Sequence, residues 1–150
     1  MLTKITFLIV YNLIANFSFS QEFNIYSFGN EKISYECIED HADDAIEYVG
    51  TYEFKHFGIE SLVLEFIDDK FSLKKKFFSL TREEEEVYSE VNLNGINLTA
   101  TDLRGEELEA KFIRIICDVI IQEENFKGYY GLLLYKGSQF ENAIYIKIGD

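Results

Sequence analysis

Histidine and acidic side chains would supply the general acids, general bases and metal ligands of any site in this chain. The sequence has only two histidines, His41 and His56, and its pattern puts them in different elements. The segment 39–44 around His41 is rich in acids, but it lacks the Asp-x-Asp-x-Asp-Gly spacing and the bidentate glutamate of a calcium loop. Acids at a helix start are explained by capping and by the helix dipole. The sequence therefore predicts no metal site.

Motifs for nucleophilic catalysis and for phosphate binding do not occur in the sequence. There is no Gly-x-Ser-x-Gly, and the one Gly-Ser pair, Gly137-Ser138, falls in a predicted turn. Neither Gly-x-Gly-x-x-Gly nor Gly-x-x-x-x-Gly-Lys is found. Paired carboxylates can hydrolyse glycosides, but 27 acidic residues make any one pair uninformative. We therefore expect a protein that is not an enzyme, with no catalytic residues and no cofactor; a small hydrolase is the alternative.

Cys37 and Cys117 are the two cysteines of the chain. Acidic neighbours of Cys37 disfavour the thiolate that a catalytic cysteine needs. In an oxidising compartment, two cysteines can pair in only one way. Their bond would close a loop of about 80 residues and remove roughly 4–5 kcal/mol of unfolded-state entropy in the chain-entropy model. We expect a Cys37–Cys117 disulfide, with two unpaired buried thiols as the alternative.

The N-terminus has the pattern of a secretory signal peptide over residues 1–20. It carries one positive charge, Lys4, then an apolar stretch from Ile5 to Ala15 and small residues at Ser18 and Ser20. The apolar stretch is too short to cross a bilayer, and no second one follows. The pattern predicts a secreted or periplasmic protein of bacterial type, with no transmembrane segment in the mature chain. The alternative is an N-terminal core strand or anchor helix.

Composition and charge describe the remaining residues, 21–150. The 150-residue chain has 27 acidic and 14 basic residues, for a formal charge of −13. Loss of residues 1–20 removes Lys4 and no acid, so the mature charge is −14. A hydrophobic fraction of 47% is too high for a disordered acidic tail, and the acidic excess argues against nucleic-acid binding. No repeat or linker divides 21–150, which predicts a single β-rich domain.

The first part of this domain changes period twice. Segments 23–28 and 32–38 alternate apolar and polar residues around Gly29-Asn30, which predicts a hairpin. Apolar residues then recur at helical spacing, with Asp40 to cap the start and Gly50 to end it. This spacing predicts one short N-terminal helix, about 41–49.

From Gly50 onward the pattern is that of strands joined by short turns. Strands of this length with no helices between them predict an antiparallel meander, in a small barrel or a sandwich of the mainly β class. Ile144, Ile146 and Ile148 share the apolar face of the last strand, opposite Lys147. Segments 113–116 and 132–134 are apolar on both faces, so we expect those strands to be central or covered by the helix. The predicted strands are 51–57, 61–67, 70–78, 86–93, 96–102, 108–116, 129–135 and 143–148.

A run of lysines, 74–76, precedes a run of glutamates, 83–86. A turn near Leu80-Thr81 would place the lysines across from the glutamates on adjacent strands. The alternative, a cation site on the glutamates, requires a loop, because consecutive residues of a strand point to opposite faces.

Aromatic residues are the remaining candidates for recognition. Tyrosine joins an apolar body to a polar tip and is enriched in binding surfaces. Two groups stand out, one on a face of the 51–57 strand and one flanking the 129–135 strand; core and rim packing is the alternative. The candidate ligand-binding residues are Tyr52, Phe54, His56, Tyr129, Tyr130 and Tyr135.

Gly50-Thr51-Tyr52 opens the predicted meander. These three residues resemble the Gly-x-Trp opening of lipocalin-like small secreted barrels, with tyrosine in place of tryptophan. The resemblance implies a barrel architecture.

Together these patterns predict an exported, non-catalytic binding protein of unknown ligand. Its partner would be a small apolar ligand or a basic protein, and the alternative is an acidic protein–protein inhibitor or immunity-type factor. A closed apolar cavity would favour the small ligand. A filled core with an acidic, aromatic edge would favour a protein, and a histidine that converges with carboxylates in a cleft would favour an enzyme.

Overall fold

The computed structural model describes residues 25–55, 59–79, 82–138, 140 and 142–149. The predicted signal peptide, the candidate His56 and the predicted turn at Leu80-Thr81 lie outside these residues. Fourteen strands and two 3-10 turns, Tyr35–Cys37 and Ala45–Tyr48, make up the described elements. The strands are β1 (Ile25–Phe28), β2 (Glu31–Ser34), β3 (Ile38–Asp40), β4 (Gly50–Lys55), β5 (Ile59–Ile67), β6 (Lys70–Ser79), β7 (Arg82–Val87), β8 (Ser89–Asn94), β9 (Asn97–Thr101), β10 (Glu107–Ile115), β11 (Ile120–Ile121), β12 (Glu124–Asn125), β13 (Tyr130–Lys136) and β14 (Ala143–Gly149).

Nine of these strands form an antiparallel, nearly closed barrel. Their order is β7-β6-β5-β4-β14-β13-β10-β9-β8, so the last strand of the chain lies beside the first strand of the barrel. β7 and β8 follow one another with Tyr88 between them, and the Tyr88 amide donates to the Leu73 carbonyl on β6 at 2.9 Å. The two ends of the sheet therefore meet at this point. The predicted mainly β class and meander are confirmed, and the architecture is a barrel.

The predicted helix over 41–49 is a four-residue 3-10 turn, Ala45–Tyr48. A helix this short makes too few hydrogen bonds to offset nucleation. Tyr48 instead enters the barrel, where its hydroxyl donates to the His41 carbonyl and accepts from the Asp43 amide, each at 2.9 Å. Ile46 is 52% exposed, so the helical spacing buries no continuous face. In the described part of the chain, no helix has the length and apolar character needed to cross a membrane.

The barrel interior is packed with side chains from alternate positions of each strand. Tyr48 stacks on Phe112 with ring centroids 3.8 Å apart, and Phe54 stacks on Tyr145 at 5.1 Å. Large aromatic side chains from facing strands fill the interior of this small barrel. The inward residues include Tyr48, Tyr52, Phe54, Leu62, Leu64, Leu73, Leu98, Ala100, Leu108, Ala110, Phe112, Leu132, Leu134, Ala143 and Tyr145.

A second apolar core lies on the outer face of β10, β13 and β14. The β1–β2 hairpin and the segment 117–129, which contains the β11–β12 ribbon, cover this face. This second core explains why these strands are apolar on both faces. The predicted cover was a helix, but a hairpin and a ribbon cover them instead. Ile144 and Ile146, which share the predicted apolar face, are buried in this outer core, so that face points away from the barrel interior in β14. Its inward residues are Ala143 and Tyr145, and Lys147 donates to the Glu47 carbonyl at 2.8 Å.

The predicted disulfide between Cys37 and Cys117 is confirmed. The two Cα atoms lie 4.9 Å apart, within the range that a disulfide spans. Beside it, the Ile116 amide donates to the Cys37 carbonyl at 2.8 Å, and β3 pairs with β10. The bond therefore fastens the N-terminal hairpin to the outer face of the barrel.

The lysine and glutamate runs form the expected cross-strand ladder between β6 and β7. Lys75 lies opposite Glu86 and Lys76 opposite Glu85 in the register. Their nitrogen–oxygen distances are 3.7 Å and 3.8 Å. The basic run is thus matched by acids, and this part of the acidic excess is neutralised locally.

Substitution of Gly50 tests how barrel closure depends on a close backbone approach. Gly50 has φ of +154°, and a Cβ there would meet the Gly149 carbonyl oxygen and lie 2.7 Å from the Lys147 Cε. We expect Gly50→Ala to lower the unfolding free energy by roughly 1–3 kcal/mol, as measured by urea denaturation. Gly149→Ala is the control, because a Cβ there meets no atom within 4 Å. Equal losses in both variants would contradict this explanation.

Removal of the disulfide by Cys37→Ala with Cys117→Ala should cost about 4 kcal/mol of unfolding free energy, because the unfolded chain regains the entropy of the opened loop. Urea denaturation followed by far-UV circular dichroism measures this loss. A reductant should lower the stability of the wild type and leave that of the double variant unchanged. Equal stabilities of the oxidised wild type and the double variant would show that the disulfide does not stabilise the fold.

Candidate functional site

Two cavities open on the surface of the barrel. The first, called the outer groove, has a volume of about 440 Å³ and lies over the outward face of β14. Its floor is formed by isoleucines, and the β1–β2 turn and the β11–β12 ribbon form its two walls. The lining residues are Phe28, Gly29, Asn30, Glu31, Glu53, Ile121, Gln122, Glu124, Phe126, Tyr129, Ile144, Ile146 and Ile148.

Strand alternation and backbone hydrogen bonds fix the walls of the outer groove. Because β14 turns Ala143 and Tyr145 inward, its isoleucines point outward. β1 pairs with β14 in parallel at Ser27 and Ala143, which brings the hairpin turn to the groove. On the other side, the Phe126 amide donates to the Val119 carbonyl at 2.9 Å and closes the ribbon.

Aromatic rings form much of the groove wall. Phe28 from the hairpin meets Phe126 from the ribbon edge to face at 5.1 Å, and Phe126 meets Tyr129 at 5.0 Å. The Tyr129 hydroxyl donates to the Glu124 carboxylate at 2.6 Å, and this hydrogen bond raises the pKa of Tyr129. The contact fixes one acidic side chain at the rim.

The rim of the outer groove is acidic. Glu31, Glu53 and Glu124 line it, and no lysine, arginine or histidine is found among the lining residues in the described part of the chain. Within the floor, Ile146 is 6% exposed whereas Ile148 is 55% exposed, so an apolar surface reaches the solvent between the acids. This arrangement suits a group that carries positive charge beside an apolar body.

The second cavity, called the mouth cavity, has a volume of about 750 Å³. It lies at the barrel end where β13 ends and β10 begins, beside the point where the two sheet ends meet. Its lining is mostly charged and comes from five parts of the chain. The lining residues are Glu60, Lys75, Phe77, Tyr88, Asp102, Arg104, Glu106, Glu107, Lys136, Gly137 and Ser138.

Two buried tyrosines lie beside the mouth cavity, and one of them, Tyr88, lines it. The Tyr145 hydroxyl donates to the Glu60 carboxylate, which also lines the cavity. Tyr88 is 7% exposed, and its hydroxyl has no hydrogen-bond partner in the described residues. Burial, followed by the charge of nearby carboxylates, raises the pKa of both phenols. Both phenols are therefore protonated at neutral pH.

The turn between β9 and β10 is held by its own side chains. The Asp102 carboxylate accepts from the amides of Arg104 and Glu106, each at 2.9 Å, and these bonds lower the pKa of Asp102. The Arg104 guanidinium also lies 3.4 Å from the Asp102 carboxylate. One wall of the mouth cavity is thus a preformed turn.

The candidate residues from the sequence are distributed over three environments. Tyr52 and Phe54 are buried in the barrel, and the Tyr52 hydroxyl donates to the Tyr48 carbonyl at 2.6 Å. Tyr129 lines the outer groove. Tyr130 and Tyr135 are exposed and line neither cavity, whereas His56 lies outside the described residues.

Apart from Tyr129, sequence reasoning did not select the residues that shape the two cavities as candidate binding residues. The signal for the groove was present in β14, where apolar residues occupy both faces, since a second apolar face needs a cover or a partner. Glu60 and Tyr88 had no local signal, because they are far apart in the chain and meet only when the barrel closes.

His41 lies apart from both cavities. Its ring stacks on Tyr130 at 4.0 Å, and its Nε2 is 3.5 Å from an Asp43 carboxylate oxygen. Among the described residues, no group of three His, Cys, Asp or Glu side chains is arranged to hold a metal ion. The histidine contacts are therefore those of a packed side chain at the barrel end.

The chain matches no protein-family model, no curated protein and no solved structure. The two cavities are therefore the features of the molecule from which its function can be inferred.

The buried tyrosines predict a loss of stability at alkaline pH. The unfolded chain releases its phenol protons near pH 10, whereas folded Tyr88 and Tyr145 retain theirs, so stability is full below pH 10 and falls above it. At pH 11 the loss should be roughly 1.4 kcal/mol for each buried phenol. Urea denaturation at pH 9 and pH 11 measures it.

Tyr88→Phe should reduce this alkaline loss, because the variant no longer carries one of the two phenols. Tyr135→Phe is the control, since Tyr135 is 44% exposed. An alkaline loss that is the same in the wild type and Tyr88→Phe would contradict the assignment.

Proposed function

We propose that this protein is an exported, non-catalytic binding protein that recognises a basic protein partner through the outer groove. The bound segment would carry an apolar side chain beside lysine or arginine. Export is proposed from the signal-peptide pattern of residues 1–20. One observation carries the binding site: an apolar floor that is open to solvent and bordered by three glutamates, with no lysine, arginine or histidine among the described lining residues.

The acidic rim favours a positively charged partner over an apolar small molecule. An apolar ligand that covered the groove would take the exposed Glu31 carboxylate out of water with no opposite charge beside it, which is costly. A lysine or arginine at the same place would pair with Glu31 while its neighbour covered Ile148. The packed barrel interior also favours recognition at the surface, because aromatic side chains occupy the position of a ligand cup.

The chemistry of the groove supports binding without catalysis. None of its described lining residues is a histidine, cysteine or serine, the side chains most often used as nucleophile or general base. Glu124 is engaged by the Tyr129 hydroxyl. If the partner is an enzyme with a basic active site, the same contact would make the protein an acidic inhibitor.

A defined peptide tests this proposal. We expect a capped peptide that alternates lysine and phenylalanine to bind the oxidised mature protein in isothermal titration calorimetry, and one that alternates glutamate and phenylalanine not to bind. Affinity for the lysine peptide should fall between 50 and 300 mM salt, because the rim is exposed and screened by ions. Ile148→Ser and Glu31→Lys should each weaken it at least about fivefold, or roughly 1 kcal/mol.

Matched variants separate the groove from general surface effects. Ile67→Ser removes an isoleucine that is 52% exposed, close to the 55% of Ile148, and Ile67 lines neither cavity. Glu83→Lys makes the same charge change as Glu31→Lys, on β7. If Glu83→Lys weakens peptide binding as much as Glu31→Lys does, the peptide binds at the β6–β7 ladder or non-specifically. Either result would overturn the proposal.

A further inference from the structure

We propose that the mouth cavity is a second binding site, separate from the outer groove, and that it takes a small organic cation such as a primary amine. No residue lines both cavities. The ammonium group would lie at the cavity base between the Glu60 carboxylate and the Tyr88 hydroxyl.

The charges of the mouth cavity leave one carboxylate without a cation. The Lys75 ammonium lies 3.7 Å from Glu86, and the Lys136 ammonium lies 3.2 Å from Glu107. Arg104 is matched by Asp102, as described above. Glu60 accepts the neutral Tyr145 hydroxyl, and none of the described lysines or arginines pairs with it. The uncompensated negative charge is therefore at the base of the cavity, where a ligand would be most enclosed.

Tyr88 supplies a second, independent observation at the same place. Its side chain is more than nine-tenths buried and lines the cavity, yet its hydroxyl has no partner among the described residues. Buried hydroxyls are nearly always hydrogen-bonded to protein, water or ligand. The Tyr88 amide donates a hydrogen bond to the Leu73 carbonyl, which fixes the backbone from which this side chain enters the cavity. Its oxygen can accept a hydrogen bond from an ammonium group.

Phe77 gives the cavity an apolar contact for the body of the ligand. In the β5–β6 register, Phe77 lies directly opposite Glu60. The Lys75 ammonium is 5.6 Å from the Phe77 ring centroid, so this ring already faces a cation. An anion of the same size would have to compete with the paired carboxylates for Lys75, Arg104 and Lys136. It would also be repelled by Glu60.

Titration with phenethylamine followed by ¹H–¹⁵N NMR tests the proposal. We expect saturable shifts at the amides of Tyr88, Gly137 and Ser138, which line the cavity. Inorganic phosphate, the anion probe, should leave these amides unmoved. Phosphate shifts at the same amides would make the cavity an anion site, and amine shifts confined to the glutamates of β7 would make the binding non-specific; either result overturns the proposal.

Two substitutions at the cavity base test the assigned contacts. Glu60→Gln keeps an acceptor for the Tyr145 hydroxyl but removes the charge, and it should weaken phenethylamine at least tenfold. Tyr88→Phe removes only the hydroxyl and should weaken it at least threefold. Glu83→Gln makes the same charge change on β7, outside both cavities, and should leave amine binding at the mouth cavity unchanged.

Thermal unfolding by circular dichroism establishes that each variant is folded. If Glu60→Gln is not folded, Tyr88→Phe and the map of shifted amides decide the outcome. Amine binding that stays within twofold of the wild type in a folded Glu60→Gln, or in Tyr88→Phe, would overturn the proposal. Because the probe and the variants differ from those for the outer groove, either site can fail without the other.

Discussion

Pairing of the last strand, β14, with the first barrel strand, β4, is the constraint on which the rest of the structure depends. It closes a chain of short hairpins into a barrel and places Tyr52, Phe54 and Tyr145 in one interior. A pair of backbones this close leaves no room for a side chain at Gly50, where the positive φ also favours glycine. Closure also decides which face of every strand points inward, because strand residues alternate.

The packed interior moves recognition to the outside of the barrel. Aromatic rings occupy the centre, so the accessible cavities lie where closure leaves surfaces only partly covered. On β14 the outward isoleucines are sheltered by a hairpin and a ribbon that leave a groove between them. At the mouth, the turn after β9 and the residues after β13 surround a cavity beside Tyr88. The disulfide holds the hairpin that forms one groove wall.

Acidic residues have different roles in different parts of this molecule. On β7, Glu85 and Glu86 form ion pairs with lysines of β6, which neutralise their charge within the sheet. In the turn after β9, Asp102 accepts backbone amides and shapes a wall. At the groove rim Glu124 accepts the Tyr129 hydroxyl, and at the mouth Glu60 accepts the Tyr145 hydroxyl. Both carboxylates are therefore held by neutral tyrosines beside a cavity.

The sequence by itself determined most of the barrel strands and the one possible cysteine pair, because these follow from period-two alternation and from counting. The predicted strand 86–93 is wrong, because the structure divides it at Tyr88 between β7 and β8. The sequence also determined the lysine–glutamate ladder, since a hairpin between two opposite runs brings them together. Tertiary structure decided the face of β14, because both faces are apolar and only the register with β4 selects Ala143 and Tyr145 as the inward pair. It replaced the predicted helix over 41–49 with a 3-10 turn, because burying Tyr48 is worth more than one helical turn. It also made both cavities, whose residues lie far apart in the chain and meet only when the barrel closes.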